Sequence, residues 1–357
     1  DGTILHDSIL LGEPAEMQLV LLDFVEASDD QALELQAAAR RNNVPKVEDL
    51  LQKPLNPDPE GRQTPLVKAA YHGHTEVVRL LLEARANNDK VRYDGSTPLV
   101  VACANGHFDA ARLLLEGGAD KDKAGPSGGT PLFLACQNGH LQIVLSLLQA
   151  KANKDAARDN GSTPLIIACQ QGHVEVVRTL LEIQADVNKA CSGGMTPLHV
   201  ACEQGGLQIA RASRAVLRAG GDDAGPIERL QLAYQLRRLA VVRLLLKAGA
   251  DVDKAPTATG YTPLFRACEQ GHVEIARMLL EAGADDSKPT DDGSSPLLAA
   301  CAHGHLHVIQ LLLVAGADMK LGRHNGDTPL AIASRHGHLE IVQKLAEEQP
   351  YKKAKLS

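Results

Sequence analysis

The sequence predicts an all-α solenoid of helix-turn-helix units with projecting hairpin loops, and three observations predict it. One phrase recurs eight times: "TPLVKAAYHGH" at Thr64, "TPLVVACANGH" at Thr97, "TPLFLACQNGH" at Thr130, "TPLIIACQQGH" at Thr163, "TPLHVACEQGG" at Thr196, "TPLFRACEQGH" at Thr262, "SPLLAACAHGH" at Ser295 and "TPLAIASRHGH" at Thr328. Successive starts lie 33 residues apart, except for one interval of 66. A fixed period of this size marks units that bury their core only against their neighbours. The letters inside each unit then alternate between helical apolar spacing and clusters of turn residues.

Within a unit the elements follow in order. Thr is a good N-cap, and Pro suits the first helical position, where its missing N–H would have no partner anyway. The apolar residues of "PLFLAC" continue at helical spacing, and Gly139 and its equivalents end the helix in the left-handed conformation. A second helix follows, as in "HLQIVLSLLQA", with apolar residues at i, i+3 and i+4. Segments such as "GADKDKAGPSGG" then read as a turn or hairpin leading to the next Thr.

The stretch at Thr196 places a Thr, a His, a Cys and a Glu within eight positions, and a Cys near a His can be an activated nucleophile. The repeat argues against it. Elsewhere the place of His199 holds Val, Phe, Ile, Leu or Ala, whereas the Cys recurs as Cys103, Cys136, Cys169, Cys202, Cys268 and Cys301. Six of seven cysteines at one repeat position read as small core residues. Stacked helices sit about 8–10 Å apart, too far for a disulfide ladder. No catalytic residue is assigned.

With these motifs in hand, the sequence resembles the ankyrin-repeat family. The T-P-L-H-x-A signature is complete at Thr196, Pro197, Leu198, His199 and Ala201 and nearly so in most other units, over roughly residues 33 to 349. The resemblance implies stacked helix pairs with hairpin fingers, whose inner helices and finger tips bind partner proteins without catalysis.

Division of the chain follows from the same register. Residues 64–227 hold repeats 1–5 and residues 262–349 hold repeats 7–9 with the C-terminal cap, leaving 350–357 as a basic tail. For the 66-residue interval the favoured reading is a degenerate sixth repeat at 228–261, with Glu228 in the Thr place and Arg237 and Arg238 in place of Gly-His. The rival reading is an insertion of about one repeat, since "EQGG" could run straight into "LAVVRLLL". Residues 29–63 fit an N-terminal capping unit, with a helix pair over 33–51. Residues 1–28 resemble the second half of a ubiquitin-like domain and are expected to form a small β remnant. The start at Asp1 rather than Met fits a segment cut from a longer protein.

Composition narrows the function. A formal charge of −7 with pI near 6.1 argues against a nucleic-acid partner held by charge. No apolar run approaches 18 residues, so no membrane insertion is expected. Six ladder thiols suit a reducing compartment, cytoplasmic or nuclear. Seven of 14 His occupy the Gly-His turn and are expected to hold it by hydrogen bonds. The cluster Cys301, His303, His305 and His307 has no four convergent ligands, so neither metal nor cofactor is expected.

Binding is expected from a protein partner, with the chain itself monomeric. The resemblance places the inner face at the two residues after each Cys position. Its candidates are Tyr71, His72, Asn105, Gln137, Asn138, Gln170, Gln171, Glu203, Gln204, Glu269, Gln270, His303, Arg335 and His336. Finger tips add Arg92, Tyr93 and Arg323. Tyr and Arg are the favoured anchors of interfaces. Asn188 occupies a loop position at which asparagines of this family can be hydroxylated by another enzyme. The leading reading is a non-enzymatic protein–protein scaffold. Alternatives are a substrate-recruiting adaptor of the ubiquitin pathway and the regulatory repeat region of a larger enzyme or channel.

Overall fold

The structure is a computed structural model and describes residues 29–53, 55–58, 64–203, 224–256 and 259–354. These residues form eighteen α-helices in nine successive pairs, with no strand among them. The pairs are α1 (Asp29–Arg40) with α2 (Val44–Leu51), α3 (Pro65–His72) with α4 (Thr75–Glu83), and α5 (Pro98–Asn105) with α6 (Phe108–Glu116). Next come α7 (Pro131–Asn138) with α8 (Leu141–Gln149), α9 (Pro164–Gln171) with α10 (Val174–Glu182), and α11 (Pro197–Glu203) with α12 (Ala224–Lys247). The last three are α13 (Pro263–Glu269) with α14 (Val273–Glu281), α15 (Pro296–His303) with α16 (Leu306–Ala315), and α17 (Pro329–Arg335) with α18 (Leu339–Ala354). First helices pack on first helices and second helices on second helices along the chain. Two helical layers result, each unit touching only its neighbours.

The repeated phrase explains each first helix. Thr64, Thr97, Thr130, Thr163, Thr262, Ser295 and Thr328 each accept the N–H three residues on, at 3.1–3.3 Å. Such a cap contributes about 1 kcal/mol. The Leu of T-P-L is buried in most units, as are the six ladder cysteines. All seven cysteines are free thiols.

The turn histidines do more than hold their own turn. His107 Nε2 donates to the Tyr71 carbonyl (3.0 Å), His173 to Gln137 (3.1 Å), His305 to Glu269 (3.0 Å) and His338 to Ala302 (3.3 Å). Each bond crosses to the preceding unit and satisfies a carbonyl at the end of its first helix. The glycine there makes room. At Gly106, φ is +80° and a Cβ would meet the His140 ring at 2.5 Å.

A second ladder runs through the loops. Asp89, Asp122 and Asp155 accept the backbone N–H of Asp120, Asn153 and Asp186 in the following loop. Lys123 and Lys189 reach back to the carbonyls of Asp89 and Asp155. The motif "GADKDKA" therefore encodes inter-unit stapling as well as a turn.

This ladder supports the rival reading of the 66-residue interval, an insertion. Asn188 Oδ1 accepts the N–H of Asp251 at 2.9 Å, and Lys254 donates to the Asn188 carbonyl. The two loops are direct neighbours although twice the usual chain separation divides them. Helix α11 packs on α13, and α12 contacts α10, α11 and α14. Its segment Leu239–Lys247 thus stands as the second helix paired with α11. Among the described residues no further helix pair stands between α11 and α13. Glu228 lies inside α12, which is continuous from Ala224, and not at a helix start. An insertion of nearly one period would preserve the register on both sides, which is why the sequence leaves both readings open.

Two further boundaries differ. The last helix continues to Ala354, into the segment read as a tail. The first helix pair, α1 and α2, starts at Asp29 rather than at residue 33. The expected β remnant, with its ubiquitin-like resemblance, lies outside the described residues.

Candidate partner-binding face

The last turn of each first helix carries the residues read as the inner face. At the N-terminal end Tyr71 and Tyr93 are 44% and 67% exposed, with Val91 exposed between them in sequence. Tyr71 meets His72 edge-on at 5.0 Å, His72 stacks on His74 at 5.5 Å, and the Arg92 guanidinium lies 5.3 Å from the Tyr93 ring. Arg92 also pairs with Asp94. That guanidinium, then the Ser96 N–H, holds the Asp94 carboxyl down at about 2. Partial burial lowers the His72 pKa, and His74, Arg40, Lys68 and His107 lower it further.

Toward the centre several candidates are occupied by their own scaffold. Asn105 Nδ2 donates to the Val101 carbonyl (2.7 Å), and Asn138 Nδ2 spans the carbonyls of Leu134 and Ala104, each at 3.1 Å. These amides close helix ends, leaving their oxygens outward as acceptors. Gln137, Gln170 and Gln171 are half-buried, whereas Gln270 is exposed. Gln204 lies outside the described residues.

Glu203 and Glu269 come together through a residue the sequence reading passed over. Arg266 lies 2.9 Å from Glu269 and 3.9 Å from Glu203, with its guanidinium 4.4 Å from the Tyr261 ring centre. Tyr261 in turn stacks on Phe265 at 4.7 Å. A signal was present, since Arg266 occupies a place filled by Val101, Leu134, Ile167 and Val200 in sibling units.

At the C-terminal end His303 and His336 each bond the carbonyl four residues back, both at 3.0 Å. Arg335 grips Asp327 with both terminal nitrogens. Arg323 donates to Ser294 Oγ at 2.6 Å beside Asp292. Asn188 is committed to the loop ladder, its Oδ1 held by the Asp251 N–H. The candidates thus divide along the stack into an aromatic cluster, an amide centre and two ion-pair groups.

The suspected nucleophile fares otherwise. Burial pushes the Cys202 thiol up to about 12, the opposite of an activated thiolate. His199 is 1% exposed; its Nδ1 accepts the Thr196 N–H at 3.2 Å and its Nε2 donates to the Tyr261 carbonyl at 3.0 Å. It ties the start of α11 to the loop before α13. Among the described residues no group of three His, Cys, Asp or Glu is placed to hold a metal ion, and no helix is long and apolar enough to cross a membrane.

The sequence profile described as "Ankyrin repeats (3 copies)" matches residues 35–125, 69–158, 132–212, 222–289 and 283–355. The chain belongs to the ankyrin-repeat family. Its similarity to curated relatives is local. Protein phosphatase 1 regulatory subunit 27 of Mus musculus and of Homo sapiens is 49% identical over 47 residues, 13% of this chain and 30% of the relative. Ankyrin repeat and SAM domain-containing protein 6 of Mus musculus is 42% identical over 65 residues, 18% of this chain and 7% of the relative. The chain spans less than a third of each of these proteins. Because the family match begins at residue 35, it adds nothing to the ubiquitin-like resemblance of residues 1–28.

Proposed function

We propose that this ankyrin-repeat chain is a non-catalytic scaffold that binds a protein partner along its first-helix face and loop tips. The observation that carries the reading is the pair Tyr71 and Tyr93, large amphipathic rings left exposed beside Arg92. Tyr and Arg are enriched among interface anchors, and the two-torsion Tyr ring gives contact area at low entropic cost. Likeness to a protein named as a regulatory subunit supports the same reading, within the 47 residues it covers. Buried ladder thiols favour a reducing, cytoplasmic or nuclear setting. The alternative of recruitment into the ubiquitin pathway draws on residues 1–28 alone.

Affinity capture from native lysate with mass spectrometry tests the scaffold, comparing the chain with its Tyr71→Ala/Tyr93→Ala/Arg92→Glu variant after both show equal helical signal. A protein captured by the unaltered chain and lost by the variant is the expected result. Identical capture by both overturns the assignment of these residues.

A further inference from the structure

The aromatic cluster at the N-terminal end of the face differs from the rest of the stack in how its charges are met. Arg40 is exposed at the end of α1, and Lys68 is half-buried on α3, one turn before Tyr71 and His72. His74 Nε2 donates to the Arg40 carbonyl at 3.0 Å and its ring stacks on His72, so both cations stand beside that ring and act on it electrostatically. Neither forms an ion pair among the described residues. Neighbouring carboxylates are already engaged. Glu34 and Asp49 lie 3.0 and 3.6 Å from Lys46, Asp49 also holds Lys53, Glu76 and Glu83 hold Arg79, and Asp94 holds Arg92.

Farther along, three cations of the face are matched. Arg266 lies between Glu203 and Glu269, Arg323 beside Asp292, and Arg335 on Asp327. Uncommitted positive charge next to exposed aromatic rings therefore marks this end, in a chain whose net charge is −7. Resting on the scaffold reading, we propose that Arg40, Lys68, Tyr71, His72 and Tyr93 form a docking site for an acidic peptide segment of the partner. That segment would carry an aromatic or aliphatic side chain between its carboxylates. The carboxylates meet Arg40 and Lys68, while the apolar residue covers Tyr71 and Tyr93. The charge of Arg92 is met by Asp94, so Arg92 serves by supporting the Tyr93 ring. Complementary charge of this kind speeds encounter and sets orientation more than it adds affinity.

The test uses the full chain and three short fluorescein-labelled peptides read by anisotropy at low and moderate salt. One alternates Glu with Leu around a central Phe; the others replace every Glu by Gln or by Lys. The acidic peptide is expected to bind about tenfold or more tightly than the Gln peptide, a preference that weakens with salt. Arg40→Glu/Lys68→Glu should abolish that preference and turn it toward the Lys peptide, whereas Arg243→Glu, at an exposed position on α12 outside the face, should leave it intact. Gain of the Lys peptide shows that the variant is folded and that its altered charges face the ligand. Equal binding of acidic and Gln peptides, or a preference that survives the charge reversal, overturns the proposal. Lysate capture separates the two readings. A partner lost with the Tyr71/Tyr93/Arg92 variant yet retained by Arg40→Glu/Lys68→Glu overturns the acidic site and leaves the scaffold standing.

Discussion

Arg238 donates from Nη1 to His272 Nε2 across 2.8 Å while the rest of its guanidinium closes the carbonyls of Ala201 and Cys202. In the other units a turn histidine bonds such a carbonyl directly. At the insertion Arg238 reaches between α11 and His272 and bridges the two. The guanidinium is 4% exposed, and burial lowers its pKa. Because His272 accepts this bond, its ring is neutral with the proton on Nδ1.

Replacing this arginine should therefore weaken the stack at one joint. Arg238→Leu leaves two helix-end carbonyls and one ring nitrogen without partners, for a loss of about 2–4 kcal/mol. Neighbouring Arg237 is exposed, and Arg237→Ala should change stability by less than about 0.5 kcal/mol. Urea denaturation of both variants checks this. Equal midpoints would show that Arg238 does not hold the joint.

The Gly-His coupling separates two effects that usually travel together. Gly106 and Gly118 both have positive φ, +80° and +86°, but only Gly106 has a neighbour, the His140 ring, within reach of a Cβ. Gly118→Ala should cost about 1 kcal/mol for its left-handed backbone. Gly106→Ala adds displacement of His140 and should cost roughly 1–3 kcal/mol more. Thermal or urea midpoints of the two variants measure the difference directly.

Stability should also depend on pH through two buried rings. Burial holds His199 and His272 at about 4, with Arg238 adding to the effect on His272. In the unfolded chain a histidine titrates near 6.5. Below that value the unfolded state binds more protons than the folded state, so these rings destabilise the fold as pH falls from about 6.5 toward 4. Each contributes at most about 3 kcal/mol over that window. Urea midpoints between pH 7 and 4 should fall, and His199→Gln should flatten the decline. Asp94, held at about 2, loses its contribution only below that window. A decline confined to pH below 4 would exclude the histidines as its source.

Much of this was legible in the letters because a repeat states its physics many times over. Thr64 to Thr328 gave the caps, the ladder cysteines the core, and Gly106 with its equivalents the turns. What pairs across units was not legible. His107 bonding Tyr71 and Asn188 bonding Asp251 are contacts between equivalent places in neighbouring units, which no period within one unit reveals. Asn105 and Asn138 were expected to face a partner, although their nitrogens donate to the carbonyls of Val101, Leu134 and Ala104. Arg266 was missed because attention fell on positions, whereas the information lay in a departure from the aliphatic residues of its siblings.

The insertion offers the sharpest discrimination between the two readings of residues 204–238. If they are an insertion within one unit, replacing residues 205–238 by Gly-His should restore the ordinary turn between α11 and the helix at Leu239–Lys247. The new histidine would then bond the preceding unit at Gln170, as His173 bonds Gln137. Freed from Arg238, His272 would reach the carbonyl of Glu203, as His305 reaches Glu269. Asn188 would keep Asp251 and Lys254, since both loops stay where they are. The shortened chain should unfold cooperatively with a midpoint equal to or above that of the parent, because a long chain excursion and a buried arginine are exchanged for a tight turn. A true repeat removed at the same place would take a helix layer with it and leave the faces of α11 and α13 mismatched. Helical signal per residue and a single urea transition decide it: loss of cooperativity, or an unfolding free energy lowered by more than about 2 kcal/mol, would favour the sixth repeat.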